Sequence, residues 1–382
     1  MIIGIDASRA FMKNKTGIGQ YAFELLEALI NNNGLLLDHQ MIVFVKKNQR
    51  IPEKFKNKLP GNWKIKKVPS LAFLWSQLAL PYSLLQNKLN LLIIPSHALP
   101  LIFAFNFCKK LFKDIKKVYV LHGLEIKKIP WAYGFVSKKL NGYLIKNSIK
   151  NSDLMICVSQ TTKKDAYRFF KFNAKSQVIF QGAKQGKVRI KKIEKKYKKF
   201  KNQDYILSIG TLEKRKNIEN LILAFQFLKR KNKNLRLLLI GPKGYGYNEI
   251  KRRINAFKGD VLELGYVEEN AKNYLLKNAK CLACVSWAEG FGRPVLEALK
   301  FNVPVVASNI DVFKELFKDK AILCDPNNYL DIAKKIQICL NEKIRKKIVL
   351  KNKKKLILIK NKFDWDKIAK KMIKGWTHFD KP

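Results

Sequence analysis

The chain has 382 residues, 47% hydrophobic and 28% charged, with 77 Lys and Arg against 29 Asp and Glu for a formal charge of +48. At about 150 residues per domain this makes two to three domains, each able to bury a core, which excludes a disordered tail, a collagen-like repeat and a disulfide-stapled miniprotein. The positive excess attracts polyanions, anionic lipid and phosphorylated substrates without choosing among them, and part of it reads as compositional drift over a tolerant surface.

Met1–Ile5 reads as a strand ending at Asp6, an acidic residue where a secretion signal would need an unbroken apolar run. A polar glycine turn over Lys15–Gly19 leads into helical apolar spacing over Tyr21–Ile30. Further strands are predicted at Met41–Val45, Ile65–Val68, Leu91–Ile94, Val118–Leu121, Leu154–Val158 and Val178–Phe180, with a helix from Lys163. Strands that stop at a small or polar residue and hand over to a helix mark open, mostly parallel α/β sheets. The most apolar stretch, Leu91–Phe107, is broken by Pro95, His97 and Pro100 and is too short to span a bilayer.

Lys184–Lys201 is dominated by lysine and reads as a solvated connector; it lacks the interleaved aromatics of a nucleic-acid arm beyond Tyr197 and Phe200. The alternation then restarts. Strands are predicted at Tyr205–Ile209, Leu235–Ile240, Val261–Leu264, Cys281–Val285, Val303–Ala307 and Ala321–Cys324, with helices at Ile218–Leu228, Ala271–Asn278, Pro294–Lys300 and Phe313–Phe317. Beyond Tyr329 the chain reads as helical and lysine-rich, with Trp365 and Trp376 as packing anchors. Six dilute cysteines indicate a reducing compartment, and Cys281-x-x-Cys284 reads as part of a buried strand rather than a zinc or redox pair. Two α/β units in succession place the default ligand site in a cleft between them, outside the carboxyl ends of the strands.

The richest constellation is Ser286 to Glu297. Glu289 follows a strand, Glu297 lies in the first turns of the next helix, and Gly290 and Gly292 permit close backbone approach beside N–H groups that can hold phosphate oxygens. Two carboxylates flanking an anion site could grip hydroxyls at both ends of a sugar joined to a ribose through a diphosphate. The alternative is a helix-start glutamate favoured by the dipole and a solvated loop glutamate. Gly210 to Asn217 also follows a strand. There Arg215 offers a planar fork and Lys216 a point charge, able to neutralise a departing diphosphate, although basic pairs are common in so basic a chain. Gly17-Ile18-Gly19 lacks the full dinucleotide spacing and is read either as a backbone cradle or as a tight turn. His122, at a strand end, could exchange a proton with a reacting hydroxyl or be a satisfied loop residue. No Asp-x-Asp follows a strand, so no metal site is assigned and basic side chains take that work.

These segments together resemble glycosyltransferase family 4, retaining enzymes of the two-domain GT-B fold. EGFGRPVLE at 289–297 resembles the family's paired-glutamate signature and GTLEKRKN at 210–217 its phosphate-binding segment. LGYV at 264–267, VPVVASN at 303–309 and Glu315 follow in order. DASRAFMKNKTGIGQYAFEL, His122 and VSQTTKKD resemble the acceptor domain, and FDWDKIAKK the closing helix. The resemblance implies an α/β chain with two Rossmann-like domains facing across a central cleft: an acceptor domain at 1–195, a donor domain at 196–360, and a helix at 361–382 crossing back.

It further implies that Glu297 binds the ribose and Glu289 the transferred sugar. Arg215 and Lys216 would hold the diphosphate with Gly17, Gly19, Gly210, Phe291 and Gly292, backbone near Val267 would meet the base, and His122 would lie beside the reacting sugar. Catalytic roles fall to His122, Glu289, Arg215 and Lys216. The donor is a nucleoside diphosphate sugar, no cofactor is required, and the acceptor is a glycan or a polyprenyl-diphosphate-linked glycan. The GIDAS and TGIGQY wording leans to the mannosyltransferase-like subgroup and so to GDP-mannose, with a UDP-hexose next; a basic nucleic-acid or lipid-binding protein without transferase activity is the remote alternative. Gly123, where relatives often carry aspartate, and QGAK at 181–184 depart from the family and blur the acceptor.

Such enzymes build bacterial surface polysaccharide, lipopolysaccharide or capsule, so the resemblance implies a cytoplasmic protein peripheral on the inner leaflet of the inner membrane. Leu71, Phe73, Trp75, Leu78 and Leu80 are read either as an amphipathic helix dipping into anionic lipid or as a core helix. No specific nucleic-acid partner is expected.

Overall fold

The computed structural model describes residues 1–69, 74–96, 98–105, 110–172, 174–184, 188–257 and 259–377. The short apolar runs in the middle of each sheet become parallel strands buried on both faces, whereas the outer strands at Trp63–Val68 and Lys175–Val178 are polar and partly exposed; crossovers return the chain to the same sheet edge. In the first half these are β1 (Ile2–Asp6), β2 (Gln40–Lys46), β3 (Trp63–Val68), β4 (Leu91–Ile94), β5 (Lys116–Leu121), β6 (Leu154–Cys157) and β7 (Lys175–Val178). They form one parallel sheet in the order β3-β2-β1-β4-β5-β6-β7. The second half contributes β8 (Tyr205–Ile209), β9 (Arg236–Ile240), β10 (Val261–Gly265), β11 (Cys281–Cys284), β12 (Val305–Ser308) and β13 (Ile322–Cys324). Their order is β10-β9-β8-β11-β12-β13, again parallel throughout. In both sheets the order reverses beside the first strand, the arrangement of doubly wound folds.

The chain divides into two compact units, 1–124 with 136–182 and 363–382, and 125–135 with 183–362. The second unit is entered at Ala183 rather than after residue 195, because the lysine-rich stretch contributes buried Ile193, Tyr197 and Phe200. That stretch is therefore not a solvated connector: short helical turns at Ile190–Lys192, Lys195–Lys198 and Lys199–Asn202 direct those three side chains inward while the lysines of these turns stay outside. The second unit's core joins Ile206, Leu237, Ala283 and Val306 from the sheet to Phe225 and Ile336 from helices at Ile218–Lys229 and Tyr329–Leu340. Cys281 and Cys284 are buried free thiols on β11, and burial pushes Cys284 up to about 12, so neither behaves as a nucleophile.

Unit 1 is completed by the helix Trp365–Thr377 against the helix Gly17–Asn31. Trp365 donates from Nε1 to buried Glu24 at 2.8 Å, and the Tyr21 hydroxyl reaches Met372 Sδ at 3.9 Å. Trp75 and Leu80 are core residues. The Trp75 indole donates to Asp6 at 3.1 Å, whereas Leu78 is exposed, and Leu71 and Phe73 lie outside the described residues. Among the described residues no helix is long and apolar enough to cross a membrane.

Candidate active site

In the second unit the order reverses between β8 and β11, and the loops leaving these two strands carry Arg215 with Lys216 and Glu289, respectively. Crossovers to opposite faces separate the loops at such a reversal and leave a crevice beyond the strand ends. Asn217 ties the two loops together. It takes left-handed φ of 56° and donates from Nδ2 to the carbonyls of Val285 (3.0 Å) and Pro326 (2.8 Å). The Trp287 amide closes the link on the Arg215 carbonyl at 3.0 Å.

The predicted charges meet there. Glu289 Oε2 accepts from Arg215 Nη1 at 3.1 Å, and Oε1 accepts from Lys216 and, at 2.8 Å, from Ser286 Oγ. Arg215 also donates to the Ala288 carbonyl at 3.0 Å and, through Nε and Nη2, to Glu213 Oε1 at 3.0 and 2.7 Å. Burial alone would push the Glu289 carboxyl up, but Lys216 and Arg215 outweigh it and hold the pKa at about 2. Burial likewise opposes the charge on Arg215, yet Glu289, Glu125 and Glu213 raise its pKa well above the ordinary value. Both groups are ionised throughout any working pH range.

Glu297 lies in the helix Arg293–Lys300 and is buried. Its partner is Lys272, which the sequence reading did not single out: Nζ stands 2.8 Å from Glu297 and 3.0 Å from Glu269, while Arg293 lies 3.6 Å from the other oxygen of Glu297. Burial opposes the Glu297 charge, and Lys272 and then Arg293 reverse that and lower its pKa. Gly292 caps this helix at φ 91°, where a side chain is strained, and a Cβ there would collide with the Phe313 ring. Having no side chain, Gly292 also offers no capping acceptor to the first-turn N–H groups. Phe291 and Val267 are buried, the latter just beyond β10, and Gly210 ends β8 at φ 149° with Lys216 Cε 3.2 Å from where its Cβ would be.

Three expected residues fall in the other unit. Gly17 and Gly19 are the first turn of a helix rather than a turn before it; Thr16 caps it by accepting from the Gly19 amide at 3.4 Å, and the Arg9 carbonyl would stand 2.9 Å from a Cβ on Gly19. His122 has both ring nitrogens engaged: Nε2 with the Pro95 carbonyl at 2.7 Å and Nδ1 with Gln181 at 3.0 Å, its ring edge-on to Tyr21. An amide donor on Nδ1 and a carbonyl on Nε2 together select the neutral Nε2–H tautomer. Among the described residues no group of three or more His, Cys, Asp or Glu could hold a metal ion.

Two parallel-sheet α/β units of this topology have the GT-B fold. A solved sucrose-phosphate synthase from Thermosynechococcus elongatus superimposes with a TM-score of 0.75 at 15% identity, covering 100% of this chain and 99% of that one. The family models for Glycosyltransferase Family 4 and for Glycosyl transferases group 1 match residues 15–184 and 189–356. The chain belongs to glycosyltransferase family 4. It is 36% identical over 129 residues to O-antigen chain mannosyltransferase B of Escherichia coli, covering 33% of this chain and about a third (34%) of that protein's length. It is 27% identical over 211 residues to O-antigen chain mannosyltransferase RfbU of Salmonella typhimurium, 53% of this chain and 56% of that protein.

Proposed function

We propose that the chain is a retaining hexosyltransferase that moves mannose from GDP-mannose to a hydroxyl of a glycan or polyprenyl-diphosphate-linked glycan in surface-polysaccharide synthesis. The observation that carries this reading is the buried Glu289–Arg215–Lys216 cluster at the strand-order reversal, with Glu297 held at the start of the adjoining helix. The two mannosyltransferase relatives support mannose as the sugar.

Glu289, ionised well below neutral pH, accepts hydrogen bonds from the sugar hydroxyls and has no proton to give. The acceptor oxygen then bonds to the anomeric carbon as the carbon–phosphate oxygen bond breaks on the same face, and the acceptor's proton passes to that phosphate oxygen. Arg215 and Lys216 meet the charge that grows on the diphosphate, which is where fixed cations lower the barrier most, so no metal is required. Glu297 aligns the ribose. His122 acts as an orienting group in its neutral form. Attachment to the cytoplasmic leaflet is part of the same reading. It is supported by Val136, Leu140 and Tyr143, exposed along one face of the helix Phe135–Asn151 beside Lys139, Lys146 and Lys150.

A thermal-shift panel of GDP, UDP, ADP and TDP sugars, with and without EDTA, tests this on the wild type and Glu297→Ala. A ligand that binds only the folded state raises its stability by mass action. GDP-mannose is expected to stabilise the wild type regardless of EDTA and to lose the effect in the variant. A shift from a UDP-hexose instead would overturn the donor assignment, and no shift from any sugar nucleotide would overturn the whole reading.

A further inference from the structure

The segment Glu125–Phe135 belongs to unit 2 although the chain on either side of it belongs to unit 1. It lies on the loops that carry the site. The Trp131 ring meets Trp287 edge-on at 5.8 Å, and a Cβ on Gly134 would stand 3.2 Å from the Tyr245 ring. Glu125 opens the segment, largely buried, with Oε1 4.0 Å from Arg215 Nη1. Arg215 thus faces three carboxylates, Glu213, Glu289 and Glu125, and with Lys216 the cluster holds two cations against three anions. A diphosphate adds two more negative charges, so one carboxylate has to give up its claim on Arg215. Glu213 and Glu289 are hydrogen-bonded to the guanidinium, whereas Glu125 is at the limit of an ion pair and loses least by releasing it.

We propose that Glu125 is a positioning residue for the donor reaction: it balances Arg215 while no diphosphate is bound and yields the guanidinium to the diphosphate on binding. This rests on Arg215 being the diphosphate ligand. The groups that face Glu125 are Arg215, Glu289, Lys216 and Tyr133. Burial pushes the Glu125 carboxyl up, Arg215 pulls it down, and Glu289 raises it again, leaving it above the ordinary carboxylate value.

The test measures the affinity of GDP-mannose and UDP-glucose by calorimetry from about pH 6 to about pH 8, where the sugar nucleotide's own diphosphate does not titrate. Wild type, Glu125→Gln, Glu125→Asp and Arg215→Met are compared. Glu125→Gln is expected to bind the donor about tenfold more tightly at the alkaline end. Its donor KM should fall more than its kcat changes, and Glu125→Asp should behave as the wild type. Unchanged or weaker binding in Glu125→Gln, with Arg215→Met weakened, overturns the role of Glu125. Undiminished donor binding in Arg215→Met overturns the diphosphate reading beneath it.

Discussion

Replacing Glu289 by glutamine keeps the shape of the side chain and removes one negative charge from between Lys216 and Arg215. The carboxyl pKa falls from 4.5 to about 2 on folding. At about 1.4 kcal/mol for each tenfold change in proton affinity, this corresponds to about 3 kcal/mol of stability at neutral pH. Glu289 is almost fully buried, so solvent screening takes little from that figure. A carboxylate with a depressed folded pKa stabilises the fold above its unfolded value, near 4.5, and loses that stabilisation as the pH drops through about 2. Glu289→Gln should therefore unfold more readily in urea at pH 7 by about 3 kcal/mol, the gap narrowing steadily as wild type and variant are compared in more acid buffers. A gap below about 0.5 kcal/mol at neutral pH, or one that stays constant on acidification, would refute the electrostatic account.

Lys272→Gln leaves Glu297 buried with Arg293 as its nearest named cation, at 3.6 Å. It should cost about 3–5 kcal/mol in urea denaturation and raise the donor KM; a loss under about 1 kcal/mol would show that the pair is not a buried unit. Gly292→Ala and Gly259→Ala both put a side chain on left-handed backbone, at φ 91° and 95°, but only the first meets a neighbour, the Phe313 ring. Thermal denaturation should show about 1 kcal/mol for Gly259→Ala and clearly more for Gly292→Ala, and equal losses would contradict the steric argument.

The central strands of both sheets were legible because they are short apolar runs buried on both faces, a local pattern; the edge strand predicted at Val178–Phe180 instead forms at Lys175–Val178, whose sequence KSQV carries no apolar run. The Arg215–Lys216 and Glu289–Glu297 placements were legible for a related reason: each pair lies in one loop or one loop-helix junction. Lys272 was not, since one lysine among many carries no local mark and becomes distinctive only when folding buries it against Glu297. Glu213 and Glu125 were missed for the same reason, as they become distinctive only by converging on one guanidinium. The lysine-rich stretch misled because the buried side chains among its described residues, Ile193, Tyr197 and Phe200, are too sparse for a periodic signal, yet they suffice to hold helical turns against a core. His122 stood out as a rare residue at a strand end, but its engagement by Gln181 and Pro95 depends on chain that arrives from elsewhere.

The helix Trp365–Thr377 packs on the helix Gly17–Asn31, so the first sheet's own covering layer is synthesised after every residue of the second unit. Throughout synthesis of the second unit, the first therefore lacks the Trp365 and Met372 side chains that engage Glu24 and Tyr21. A translation product that stops short of Phe363 would carry a complete second unit joined to an open first one. Quality-control proteases would meet that defect at the beginning of the polypeptide, not at its broken end.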